Sequence, residues 1–221
     1  MNNKASRVFL AVTVLVRASL ACNALSGLGG DRPLFEDNFS GSSNWGIGTD
    51  ADSSVEYANG GLRMQVFREN YIVWSNPGDS SYENIHVEVT VLNNNNTDST
   101  TAFGIICHQQ SPITDSYYYM VITPAGEYAI ARASLALSDV FLTNDDQWGY
   151  SDIIALDAAS YKVGADCGNG RLTLYVDGQQ IDSVTDSTYT SGGVGLQIWS
   201  GEGVSTWDVT FDDFVVTKLA E

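Results

Sequence analysis

Basic side chains are scarce in this sequence. Ten lysines and arginines stand against 27 aspartates and glutamates, and three of the ten, Lys4, Arg7 and Arg17, precede Cys22 whereas every acid follows it. The part after Cys22 therefore carries 7 basic and 27 acidic side chains, a formal charge of −20. A field of that sign repels phosphate backbones and anionic lipid, which excludes nucleic acid as a partner and leaves neutral glycans and divalent cations open. The same excess of acid keeps a secreted β-protein soluble, and a monomer is expected. Cysteine occurs three times and histidine twice, with no Cys-x-x-Cys and no Cys/His cluster, so a zinc site is not expected. There is no Gly-x-Ser-x-Gly elbow, and Gly192-Gly-Val-Gly195 enters a strand rather than a helix, so it reads as a tight turn and not as a phosphate cradle. No repeat of solenoid or propeller period occurs.

Long apolar runs are missing as well. The run from Val8 to Val16 is too short to span a bilayer. With Lys4 and Arg7 before it and Ser19-Leu-Ala-Cys22 after it, the segment 1–22 reads as an export signal, followed by a small, flexible tether over 23–32. Ser19-Leu-Ala-Cys22 resembles the lipobox of bacterial lipoproteins, with Ser19 where Leu is usual. Lipidation of Cys22 is the first reading, and ordinary cleavage and an uncleaved anchor are the alternatives. The expected location is outside the cytoplasm, as a membrane-anchored lipoprotein or an extracellular protein that meets the membrane only through its N-terminal lipid. Cys107 and Cys167 then remain as an even pair in an oxidising compartment, and one disulfide is expected.

What is present is β pattern. From Pro33 to Lys218 short β-rich runs alternate with Gly, Asn, Asp and Ser, and no segment holds a helical period. In 82–92, Ile85, Val87, Val89 and Val91 alternate with Asn84, His86, Glu88 and Thr90, as a half-buried strand requires. Further strands are expected over 61–67, 71–75, 101–109, 117–123, 127–133, 161–167, 171–176, 179–184, 193–200 and 206–217. Asp177-Gly178 specifies a type I′ hairpin, and Thr123-Pro-Ala-Gly126 closes a second one. So many strands on one core imply two stacked sheets, an all-β sandwich over 33–218.

Several pieces in order, Phe35-Glu-Asp-Asn-Phe39, Phe103-Gly-Ile-Ile-Cys107, Tyr117-Tyr-Tyr-Met-Val-Ile122, Leu174-Tyr-Val-Asp-Gly178, Gly193-Val-Gly-Leu-Gln197 and Phe211-Asp-Asp-Phe-Val215, resemble the concanavalin A-like lectin/glucanase superfamily. Within it they are most similar to the domain of 3-keto-disaccharide hydrolases and related bacterial lipoproteins. The resemblance implies a two-sheet jelly roll whose concave sheet faces ligand. Alternation places His86 and Glu88 on the wet face of one strand and Gln197 and Trp199 on that of another, and by the same parity His108 joins them.

A retaining glycosidase needs two carboxyl groups roughly 5 Å apart, and the E-x-D-x-x-E motif that supplies them in laminarinase-type members is absent. Glu83 and Glu88 point to opposite faces of an unbulged strand. The resembling hydrolases carry a Glu and an Arg on the equivalent strands, and here His108 stands where the Arg is expected. Glu88 with His86 or His108 is thus the one acid–base candidate, and binding is favoured over cleavage. The ligand-face residues are Glu88, Gln197 and Trp199, with Trp148 and Tyr150 of the polar loop 143–150 as a rim, because sugar C–H faces stack on aromatic rings while amides and carboxylates take hydroxyls. Trp45, Trp74 and Trp207 are assigned to the core. A structural calcium ion at Asp37, Asp212 and Asp213 is the one cofactor candidate, Phe211 and Phe214 differing in parity as a bulge would require. The expected function is an exported module that binds a glycan or cell-surface polysaccharide without cleaving it. The alternatives are a glycoside or 3-keto-disaccharide hydrolase using Glu88, and an adhesive or structural surface domain that binds a protein partner.

Overall fold

A computed structural model of the chain describes residues 32–41, 44–94, 101–111, 116–134, 138–204 and 206–219. The export segment 1–22, Cys22 and nearly all of the tether lie outside the described residues. The strands are β1 (Phe35–Asp37), β2 (Gly48–Thr49), β3 (Ser53–Ala58), β4 (Gly61–Val66), β5 (Tyr71–Ser75), β6 (Ile85–Asn93), β7 (Ala102–Gln109), β8 (Tyr117–Ile122), β9 (Glu127–Ala133), β10 (Val140–Phe141), β11 (Gly149–Tyr150), β12 (Ser160–Gly168), β13 (Arg171–Val176), β14 (Gln179–Thr185), β15 (Gly193–Ser200) and β16 (Trp207–Lys218). They form two antiparallel sheets. The first runs β14-β13-β12-β6-β16-β4-β3-β2 with β1 beside the end of β16, and the second runs β10-β9-β8-β7-β15-β5 with β11 also on β9. No helix occurs among the described residues.

Turn chemistry sets the hairpins. Asp177 and Gly178 both take positive φ, 50° and 75°, as a type I′ turn between β13 and β14 demands. Asn59-Gly60 and Asn169-Gly170 turn in the same left-handed region and join β3 to β4 and β12 to β13. At Thr123-Pro-Ala-Gly126 the Gly126 amide donates to the Thr123 carbonyl at 3.1 Å, closing β8 on β9.

The core fills the space between the sheets. Val87, Val89, Val163, Leu174, Trp207 and Phe211 come from the first sheet and Phe103, Ile105, Met120, Leu196 and Ile198 from the second, all fully buried. The disulfide is present: Cys107 on β7 and Cys167 on β12 are joined with Cα atoms 6.6 Å apart, so the bridge ties one sheet to the other through this core. Trp45 and Trp207 are buried as expected, Trp45 edge-on to Phe214 at 5.0 Å. Two bulges interrupt the alternation. The β16–β6 register shifts between Asp212 and Val215, with Asp213 at φ 50°, which lets both Phe211 and Phe214 point inward. The β7–β15 register shifts at His108, also at φ 50°.

Candidate functional site

The outer face of the second sheet carries a second hydrophobic layer. Ala102 and Ile106 of β7, Tyr117, Tyr119 and Val121 of β8, and Ala129, Ala131 and Ala133 of β9 form it, with Trp74, Phe141, Trp148 and Trp199 packed against it and half-buried. The short alanine side chains leave the depth of an aromatic ring above the strands. Phe141 and Trp148, on either side of the 142–147 loop, occupy that depth. Trp148 stacks on Trp199 of β15 with ring centroids 6.0 Å apart and planes 19° from parallel, and Phe141 tilts against Trp148 at 5.8 Å. Trp74 lies opposite Gln197 in the β5–β15 register, one step diagonal from Trp199, a separation that long aromatic side chains span. Beside Trp74, a groove of about 470 Å³ runs along β5, lined by Ile47, Thr49, Tyr71, Ile72 and Ser75.

The loop that brings Trp148 across is held largely by its own bonds. The Thr143 hydroxyl donates to the Gln147 carbonyl at 3.0 Å, Asn144 Nδ2 donates to the Trp148 carbonyl at 2.7 Å, and the Phe141 amide donates to Asp146 Oδ1 at 2.9 Å. Asn144, Asp145 and Asp146 all take positive φ, a conformation Asn and Asp tolerate better than other side chains.

Gln197 sits between Gly104 and Trp74 in the sheet register, is 3% exposed, and its Oε1 has no hydrogen-bond partner. Such an acceptor is costly to bury unless something supplies a donor. Next to it Gly104 admits no side chain, since a Cβ there would lie 2.0 Å from the Met120 carbonyl oxygen. Gly104→Ala is therefore expected to force β7 and β8 apart and destabilise the fold by about 2 kcal/mol, read as a fall in the urea midpoint. An unchanged midpoint would refute that packing argument.

Trp199, Trp148 and Gln197 thus share one face of the sheet, whereas Tyr150 is 60% exposed and lies against Gly126. Glu88 does not join them. It lies on β6 of the first sheet, on the opposite outer face of the sandwich, where Lys162 Nζ is 2.6 Å from its Oε1. His86 shares that face but pairs with Asp166, Nδ1 to Oδ1 at 2.7 Å, and Tyr175 donates to the other Asp166 oxygen at 2.7 Å. Burial, reinforced by this bond, pushes the Tyr175 phenol up to about 12. His108 also departs from its expected position. The bulge turns its imidazole inward, 2% exposed, with Nε2 and Nδ1 2.7 and 3.0 Å from the carbonyl oxygens of Glu83 and Tyr189. Trp74, assigned to the core, stands instead on the outer aromatic layer, because Val73 and Ser75 take the inward positions of β5.

Asp37, Asp212 and Asp213 do not converge. Asp37 uses its two oxygens on the Phe39 amide (2.8 Å) and Trp45 Nε1 (2.9 Å), and no group of three His, Cys, Asp or Glu placed to hold a metal occurs among the described residues.

A polar cluster that the sequence does not advertise stands at one end of the sandwich. Tyr118, fully buried on the inner face of β8, donates to Asp186, which also receives Arg132 and, at 2.8 Å, the Thr188 amide. Burial, with Asp186 adding to it, drives the Tyr118 phenol up to about 12. Burial opposes ionisation of Asp186, but the bonds from Tyr118 and Thr188 and the Arg132 charge outweigh it and leave that carboxyl below its usual range. The cluster braces the loop after β14 against β8 and β9.

No known protein family matches the chain, and no curated protein matches it in sequence. Solved structures do match the fold. The carbohydrate-binding module CBM66 from Bacillus subtilis is 11% identical with a TM-score of 0.62, over 80% of this chain and 96% of that one. A glycoside hydrolase family 16 endo-glucanase from Bacteroides ovatus is 14% identical with a TM-score of 0.59, over 83% and 100%. The Bacillus licheniformis beta-glucanase is 14% identical with a TM-score of 0.55, over 84% and 98%. The chain therefore has the concanavalin A-like jelly-roll fold.

Proposed function

We propose that this chain is an exported, non-catalytic carbohydrate-binding module whose neutral glycan lies on the outer face of the second sheet. The observation that carries the reading is the row of half-buried tryptophans, Trp74, Trp199 and Trp148, set over the unpartnered Gln197 acceptor. Flat rings take sugar C–H faces, and a buried amide oxygen takes a sugar hydroxyl. The groove along β5 extends the row and gives a chain of several sugars somewhere to run. Similarity in fold to a carbohydrate-binding module and to glucanases is in keeping with this use, although a fold alone does not carry function. The signal segment, Cys22 as a lipid anchor and the Cys107–Cys167 bridge fit a surface location outside a reducing cytoplasm.

Titration with soluble neutral glucans, xylans and fructans, followed by tryptophan fluorescence and calorimetry, tests the proposal. Trp199→Ala is expected to weaken the tightest of these by at least about tenfold, roughly 1.4 kcal/mol, with the melting temperature close to that of the parent. Binding that survives Trp199→Ala and Trp74→Ala alike would dismiss the aromatic face. Release of reducing sugar by the parent chain, lost in Glu88→Gln, would replace binding by hydrolysis.

A further inference from the structure

We infer a second ligand site, for a single neutral saccharide ring, at the other end of β15 from the tryptophans. A cavity of about 370 Å³ opens where the 78–81 loop faces residues 191–193. Its floor is Gln109, 4% exposed, whose Nε2 has no hydrogen-bond partner. A buried amide nitrogen left without an acceptor is unfavourable, and a bound acceptor removes that penalty.

The walls are built and held. Gln110 Nε2 donates to the His108 and Ser191 carbonyls at 2.7 and 2.9 Å, and Tyr82 and Gly192 exchange amide–carbonyl bonds at 2.9 Å each way. Gly193, directly opposite Gln109 in the register, forms the wall between Gln109 and Ser80 with backbone alone.

The lining sets the ligand class. Asp79, Ser80, Ser81 and Ser191 contribute a carboxylate and hydroxyls, while among the described residues no lysine, arginine or aromatic side chain lines the cavity. Anions have nothing to pair with and flat apolar rings nothing to stack on. A neutral ring bearing several hydroxyls can give protons to Asp79, accept from Gln109 Nε2 and exchange bonds with the serines. Gly193 and Trp199 are six residues apart on one strand, about 20 Å at the usual rise, so this site does not rest on the aromatic face.

The test uses the full chain labelled with ¹⁵N and titrated separately with glucose, galactose, mannose and xylose. The readout is the Gln109 side-chain amide resonance, identified by its loss in Gln109→Met. At least one sugar is expected to shift it saturably in the millimolar range, equally in the parent and in Trp199→Ala. Asp79→Ala, on the exposed loop, is expected to weaken that response about tenfold. No shift with any of the four sugars, or a shift that disappears in Trp199→Ala, would overturn the site. So would an undiminished affinity in Asp79→Ala.

Discussion

Replacing Cys107 and Cys167 together by alanine is expected to lower the stability of the domain by about 4 kcal/mol on the chain-entropy estimate for a 60-residue separation. A domain of this kind holds roughly 5 to 15 kcal/mol in all, so the change is about a quarter of the total or more. The two sulfurs leave the same core from different sheets, and their loss frees the unfolded chain between β7 and β12 as well as emptying a fully buried position. Urea unfolding of the oxidised parent and the double variant measures it. A difference below about 1 kcal/mol would show that the unfolded chain stays compact without the bridge.

Alkali is expected to unfold the protein between pH 10 and 12. Tyr118 and Tyr175 are pushed up to about 12, and Tyr119, Tyr128 and Tyr161 are raised as well, burial being the largest cause in each case. The folded chain therefore keeps these protons after the unfolded chain, whose phenols titrate near 10, has released them. Their contribution is fully present below the unfolded value and is lost as pH rises through the folded ones. Each fully buried phenol costs about 1.4 kcal/mol for every pH unit above 10, and Tyr118 and Tyr119 together remove several kcal/mol. Tyrosinate absorbance should rise together with the loss of near-ultraviolet dichroism. Complete ionisation near pH 10 with the dichroism intact would contradict the assignment. At the acid end Asp186 acts in the opposite sense: its folded value is depressed, so its contribution is present above the ordinary carboxylate range and fades as pH falls through the folded value.

Alternation made most of the fold legible. The expected strands from 61 onward all occur, with ends displaced by at most a few residues, and the pairing of β1 with β16 brings the two ends of the domain together. The strand at Ser53–Ala58 escaped because Ser-Ser-Val-Glu-Tyr-Ala has little apolar rhythm, although Asn59-Gly60 after it is a hairpin signal. The site was harder to read for two physical reasons. Parity says which side of its own strand a residue occupies, but a sandwich has two outer faces, and nothing in the alternation of β6 and β15 tells Glu88 from Gln197 in that respect. Bulges also reset parity, which is how His108 came to point inward. Trp74 gave no parity signal at all, since Tyr-Ile-Val-Trp is apolar at every step. The contact between Trp148 and Trp199 joins residues 51 positions apart through a loop whose path no local rule specifies.

The alanines on β9 turn the outer aromatic face into something adjustable from below. Because Phe141 and Trp148 pack against a layer that includes Ala129, Ala131 and Ala133, exchanging one of these alanines for valine acts as a spacer beneath the rings, changing the height and tilt of the platform without removing a ring. If the proposed glycan face is the binding surface, its preference can therefore be altered through residues that a ligand never touches.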